Sequence, residues 1–324
     1  MHLKNRLPIF LFLFTLMFIL VSCNQSGEHS TSPGKLKIVA TTTIVGDVVR
    51  NVAADAIDLR ILLPLGADPH SYEPTPKDVA LISDADIVFA NGAGLEEFLE
   101  PLIISAGADD KIVYLSDTID LIHPTDNGNG GQSESTQDQN EGKSDHFQPH
   151  ADPHVWTNPN NVIAWVHTIE SVLNEADPGN ADTYGKNAIS YIEELTILDN
   201  WIRNQVAFIP EENRRIVTDH LVFAYFAQEY GFIQVGAIIP GYSTMSEASA
   251  QDLASLENAI EEMSINAIFV GNTVNPALAE RIAEDTGTKL VFVYTGSLSE
   301  PGGPADTYIK YMQFLTNAFV DNLR

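Results

Sequence analysis

The chain predicts an α/β fold of two lobes. Each lobe holds a four-stranded, mostly parallel sheet flanked by helices, and one long backbone helix joins them. Two patterns carry this reading. Short β-rich runs alternate with helical patterns along the chain, the mark of βα units and parallel sheets. Four such runs lie in each half, and a long helical stretch separates the two sets.

The N-terminal runs are Lys37 to Thr41, Ile57 to Leu63, Ile87 to Ala90 and Ile112 to Leu115. The C-terminal runs are Arg215 to Thr218, Phe232 to Ile239, Ala267 to Val270 and Lys289 to Tyr294. Helices are expected over Gly46 to Ala54, Thr75 to Ser83, Ser249 to Met263 and Pro276 to Thr286. Pro276 suits the first helical position behind an Asn275 cap. The separating stretch, Asn180 to Ala207, places Tyr184, Ala188, Tyr191, Leu195, Leu198 and Ile202 at three- and four-residue spacing. It contains no proline, and roughly 28 residues at about 1.5 Å each span about 40 Å. It is expected to act as a stiff strut. The domain boundaries that follow are 35–178 for the first lobe, 179–209 for the connecting helix and 210–324 for the second lobe.

Residues 1–22 read as a signal peptide. Lys4 and Arg6 precede an apolar run, Leu7 to Val21, too short and too poorly flanked for a membrane span. Behind it, Ser22-Cys23 has the form of a lipoprotein cleavage site, with Cys23 the point of lipid attachment. Cys23 is the only cysteine in 324 residues, so no internal disulfide and no thiolate metal site can form. Residues 23–34 then read as a lipidated flexible tether. With 17 Lys and Arg against 44 Asp and Glu, the net charge is −27, and removal of Lys4 and Arg6 makes it −29. Such a balance argues against a nucleic-acid partner, which requires basic surface. It suits an exported protein that draws cations toward itself.

Residues 123–150 break the alternation. They are rich in Gly, Asn, Gln, Ser and Asp, with almost no apolar side chains to bury. They read as a disordered acidic loop bearing His123, His146 and His150. The alternatives are a plain surface loop and a weak metal-gathering loop.

The chemistry lies in a repeated motif. Ala67-Asp68-Pro69-His70 is followed by Ser71-Tyr72, and Ala151-Asp152-Pro153-His154 by Val155-Trp156. Proline stiffens each turn, which helps aim an imidazole, the commonest protein metal ligand. A third histidine, His220, ends the fifth strand. In open α/β sheets ligands bind beyond the carboxyl ends of strands. His70 follows the second strand and His154 lies beyond the fourth. All three therefore fall on the binding side, two from one lobe and one from the other. Asp68, Asp152 and Asp219 stand close to them as partners for the imidazoles or simple turn-formers. Glu73 is either a supporting group or a surface charge.

These motifs, with Phe223-Ala224-Tyr225-Phe226 and Ser297-Leu298-Ser299-Glu300-Pro301-Gly302, resemble the metal-specific solute-binding lipoproteins of bacterial ABC uptake systems. The resemblance covers essentially the whole chain after the signal. It implies a monomeric binding protein, not an enzyme, that captures a divalent ion and delivers it to an ABC permease. It also implies anchorage in the lipid bilayer, on the outer side of the cytoplasmic membrane. His70, His154 and His220 become the metal ligands. Many members place an aspartate just before the Ser-x-Ser/Ala-Glu stretch, where this chain has Gly296. The fourth position is then left to water, Glu300, or a loop histidine such as His146 or His150. Members with a carboxylate in place of His220 lean toward Mn²⁺. Three imidazoles suit Zn²⁺, whereas Mn²⁺ prefers oxygen donors, so Zn²⁺ is the expected cargo. The competing readings are a manganese or iron member of the family, a surface adhesin, and a zinc hydrolase.

Overall fold

The computed structural model describes residues 34–123 and 151–324. Cys23, His29, His146 and His150 lie outside the described residues, as do the expected signal and most of the histidine-bearing loop. In chain order the first half runs β1 (Lys37–Ala40), α1 (Thr43–Ala53), β2 (Asp58–Ile61), α2 (Pro76–Asp84), β3 (Ile87–Ala90), α3 (Leu99–Ala106) and β4 (Ile112–Tyr114). Two helices follow, α4 (Pro159–Ala176) and α5 (Ala181–Val206). The second half runs β5 (Arg215–Thr218), α6 (Ala224–Tyr230), β6 (Ile233–Ala237), α7 (Ala250–Glu262), β7 (Ala267–Gly271), α8 (Ala277–Thr286), β8 (Lys289–Val293) and α9 (Tyr308–Leu323).

All eight expected strands are present. They form two sheets, ordered β2-β1-β3-β4 and β6-β5-β7-β8, with every pairing parallel. Strands buried on both faces read as continuous apolar runs, and the central strands do so here. In β1, Ile38 and Ala40 enter one core while Val39 enters another. In β7, Ala267 and Phe269 face the first core, and Ile268 and Val270 face a third. The first core is shared by both sheets and by α1, α4, α5, α6 and α9; the other two lie under α2–α3 and under α7–α8. In each sheet the strand order reverses beside the first strand of its half, which is where such folds bind ligands.

The helix that separates the sheets has 26 residues, within one residue at each end of the expected span. It is not a free-standing strut. Its stripe of Tyr184, Ala188, Tyr191, Leu195, Leu198 and Ile202 is buried against α4, α1 and α9. The reason is visible on α4, where Val162, Trp165, Val166, Ile169 and Leu173 form an apolar face that needs a partner. Burying each such large side chain contributes roughly 1.5–3 kcal/mol, so α5 is stiffened by packing as well as by its own hydrogen bonds. Residues Lys35 to Arg324 accordingly form one contact unit.

Helix starts follow local chemistry. Thr42 accepts from the Val45 N–H at 3.1 Å to open α1. Asn158 accepts from the Asn160 N–H at 2.9 Å ahead of Pro159 to open α4. At α8 the Asn275 side chain accepts from the Ala277 N–H at 3.0 Å, and Pro276 takes helical angles although the regular helix begins one residue later. Among the described residues no helix is long and apolar enough to cross a membrane.

Candidate metal centre

The repeated Asp-Pro-His motif has a local physical basis. In the first copy the Asp68 Oδ1 accepts from the His70 N–H at 3.0 Å. In the second the Asp152 Oδ1 accepts from the His154 N–H at 2.9 Å. Each aspartate thus closes a turn onto its own backbone two residues on, as Asx side chains do, with proline fixing the residue between. His220 is held differently. Asp219, at the end of β5, accepts from the His220 N–H at 2.6 Å through Oδ1, and its Oδ2 accepts from the Gly271 N–H at the end of β7.

The three histidines meet. His70, His154 and His220 are all buried, and one ligand atom from each lies within 4.8 Å of the other two. The Nε2 atoms of His70 and His154 are 3.2 Å apart, as are those of His154 and His220. Among the described residues no carboxylate joins this group.

The ring orientations are set by carboxylates in two cases of three. His154 Nδ1 lies 2.7 Å from Asp152 Oδ1, and His220 Nδ1 lies 2.5 Å from Asp219 Oδ1. An Nδ1–H donated to a carboxylate leaves Nε2 with a bare lone pair. Two such lone pairs pointing at each other across 3.2 Å repel unless a cation lies between them. A spacing of this size lets both nitrogens reach one metal ion placed between them. His70 is the exception, because its Nδ1 has no hydrogen-bond partner among the described residues. Burial, reinforced by neighbouring imidazoles, lowers the pKa of His70 and of His154 well below the usual histidine value. Both are therefore neutral at pH 7, the form that ligates. Burial pushes the Asp152 carboxyl up to about 7, against the lowering effects of the His154 N–H and of His220.

Other residues near the triad had no role assigned from sequence. The Tyr225 hydroxyl donates to the Asp152 carbonyl at 2.8 Å and accepts from the Ile122 N–H at 3.1 Å. Asn91, at the end of β3, donates to the Pro153 carbonyl at 2.9 Å, and Glu96 holds the Asn91 and Gly92 N–H groups. Gly271 is a glycine for a reason: a Cβ there would lie 2.1 Å from Thr295 Oγ1 and 3.0 Å from Asp219 Oδ2. Trp156 packs edge-on against His154 with ring centroids 5.3 Å apart. Of these, Tyr225 and Trp156 sit inside recognisable motifs, while Asn91, Glu96 and Gly271 carry no local signal beyond ending or following a strand.

The remaining expectations resolve plainly. Glu300 and Glu73 are exposed, and Glu300 is not among the converging ligands. His123 is described and stands outside the triad, and His167 is exposed on α4. Asp152 and Asp219 hold imidazoles, whereas Asp68 holds the His70 backbone N–H and not its ring. Outer hydrogen-bond partners of metal-ligating histidines are typically worth 10–100-fold in affinity. Asp219→Asn is therefore expected to weaken metal binding by about 10–100-fold, read by competition against a chelator of known affinity.

Two parallel sheets with a buried imidazole triad beyond their carboxyl ends define a metal-binding solute-binding protein. Residues 38–322 match the ZnuA family, the periplasmic component A of zinc-uptake complexes, and the chain belongs to that family. It is 33% identical over 317 residues to the manganese-binding lipoprotein MntA of Halalkalibacterium halodurans, covering 96% of this chain and 98% of that protein. It is also 33% identical over 317 residues to the iron ABC transporter substrate-binding lipoprotein MtsA of Streptococcus pyogenes, covering 96% of each. Among solved structures, the periplasmic zinc binding protein TroA of Treponema pallidum superposes with a TM-score of 0.77 at 25% identity. That match covers 90% of this chain and 99% of TroA. The chain is thus the substrate-binding protein of a metal ABC transporter, and not an enzyme.

Proposed function

We propose that the chain captures Zn²⁺ through His70, His154 and His220 and hands it to an ABC permease. It would work outside the cytoplasmic membrane, anchored by lipid on Cys23. The observation that carries the choice of ion is the donor set: three Nε2 atoms converge, and among the described residues no carboxylate oxygen stands with them. Imidazole suits Zn²⁺, and hard oxygen donors suit Mn²⁺. A second reading is manganese or iron capture, which the names of MntA and MtsA favour.

A competitive titration of the full chain with Zn²⁺, Mn²⁺ and Fe²⁺ separates the two. One tight site that prefers zinc, lost in His220→Ala, supports the proposal. Preference for manganese or iron overturns the zinc assignment and leaves the protein class standing. A site indifferent to His220→Ala overturns the three-histidine assignment.

A further inference from the structure

We propose that Thr244, which lies outside the histidine triad, sets how long the ion stays bound by latching the His70 turn to the half of the chain that carries His220. The inference rests on the three-histidine reading above. His154 and His220 have rings fixed by Asp152 and Asp219, but His70 Nδ1 has no partner among the described residues. The position of the His70 ring therefore depends on the backbone turn that carries it. That turn is organised by Asp68, whose Oδ1 accepts from the His70 N–H and whose Oδ2 accepts from Ser71 Oγ at 3.0 Å. The third donor to this carboxylate comes from the other half of the chain. Thr244 Oγ1 donates to Asp68 Oδ2 at 2.5 Å, across 176 residues of sequence.

The segment bearing Thr244 is itself fastened beside His220. The Ile239 N–H donates to the Asp219 carbonyl at 2.7 Å, and the Leu221 N–H donates to the Gly241 carbonyl at 2.9 Å. One short run, 239–244, thus links the backbone flanking His220 to the aspartate that orders His70. A second bond between the two halves of the chain, from the Gly66 N–H to Ser297 Oγ at 2.9 Å, holds the start of the same turn. The Thr244 bond is the one with a charged acceptor, and such bonds are the stronger kind. Losing it frees the His70 turn to swing away from an ion still held by His154 and His220. Metal release accelerates, while entry of the ion is little changed.

The test uses the full chain as wild type, Thr244→Val and Thr244→Ser. Zinc release is timed after mixing the loaded protein with excess chelator, and amide hydrogen exchange is followed in the metal-free protein. Thr244→Val should release zinc about tenfold faster, with association within about twofold, and the His70 amide should exchange faster. Thr244→Ser, which keeps the hydroxyl, should restore both. Release from Thr244→Val at the wild-type rate overturns the latch, as does an acceleration that Thr244→Ser shares. If wild type takes up no zinc, the zinc assignment falls instead. The exchange comparison then still decides the latch, and unchanged exchange at His70 overturns it.

Discussion

His154→Ala is expected to abolish the tight metal site, with a loss beyond the roughly 10–100-fold that follows removal of an outer partner. His154 is the common vertex of the triad. Its Nε2 stands 3.2 Å from that of His70 and 3.2 Å from that of His220. Its ring is the most constrained of the three, fixed at Nδ1 by Asp152 and packed edge-on against Trp156. Removing it leaves the two remaining imidazoles without their shared neighbour. It also deprives Asp152 of its ring donor inside the protein, where Oδ2 already lacks a partner, so some stability is lost as well. His220→Ala should approach the same loss. His70→Ala should cost less, because an unanchored ring gives up part of its binding energy to being ordered. His167, exposed on α4, serves as the control. Calorimetric zinc titration of each variant, with thermal melting of the metal-free forms to establish folding, checks the order. Zinc binding by folded His154→Ala within tenfold of wild type would sink the assignment.

Much of this was legible beforehand, for reasons that can be traced. The eight strands could be read because most are short runs rich in Val and Ile, and the central ones are apolar on both faces. The histidines could be read because the Asp-Pro-His turn is a local device: the aspartate caps the histidine it precedes, so its whole logic fits in three residues. What could not be read depends on bonds between distant parts of the chain. Thr244 reaches Asp68 over 176 residues, and Asn91 reaches Pro153 over 62, with no composition near either to announce it. The same holds for α5. Its periodicity gave its length, but its immersion in a shared core depends on the matching face of α4, whose partner the sequence does not name. The unequal roles of the three aspartates were also hidden, since turn-former and imidazole partner look alike in one dimension.

Gly296 was visible as a departure from the family pattern, but its consequence is steric as well as chemical. A Cβ built at position 296 would lie 2.9 Å from Pro69 Cδ and 3.3 Å from Pro69 Cγ. Pro69 is a stiff ring between Asp68 and His70, so it cannot yield as a flexible side chain would. The Gly66–Ser297 bond of 2.9 Å holds the two segments together at the same place. Any side chain at 296 must therefore push the His70 turn away from the triad. Gly296→Ala is expected to lower zinc affinity about tenfold, in line with an overpacking cost of about 1–3 kcal/mol. Gly296→Asp imposes the same displacement and adds an oxygen donor. Comparing it with Gly296→Ala isolates the carboxylate: the manganese-to-zinc affinity ratio should rise in Gly296→Asp and stay at the wild-type value in Gly296→Ala, because oxygen donors favour the harder ion. Equal ratios in the two variants would mean that a carboxylate at 296 does not reach the ion. Unchanged zinc affinity in Gly296→Ala would mean that the segments bearing Gly296 and Pro69 can part without disturbing His70.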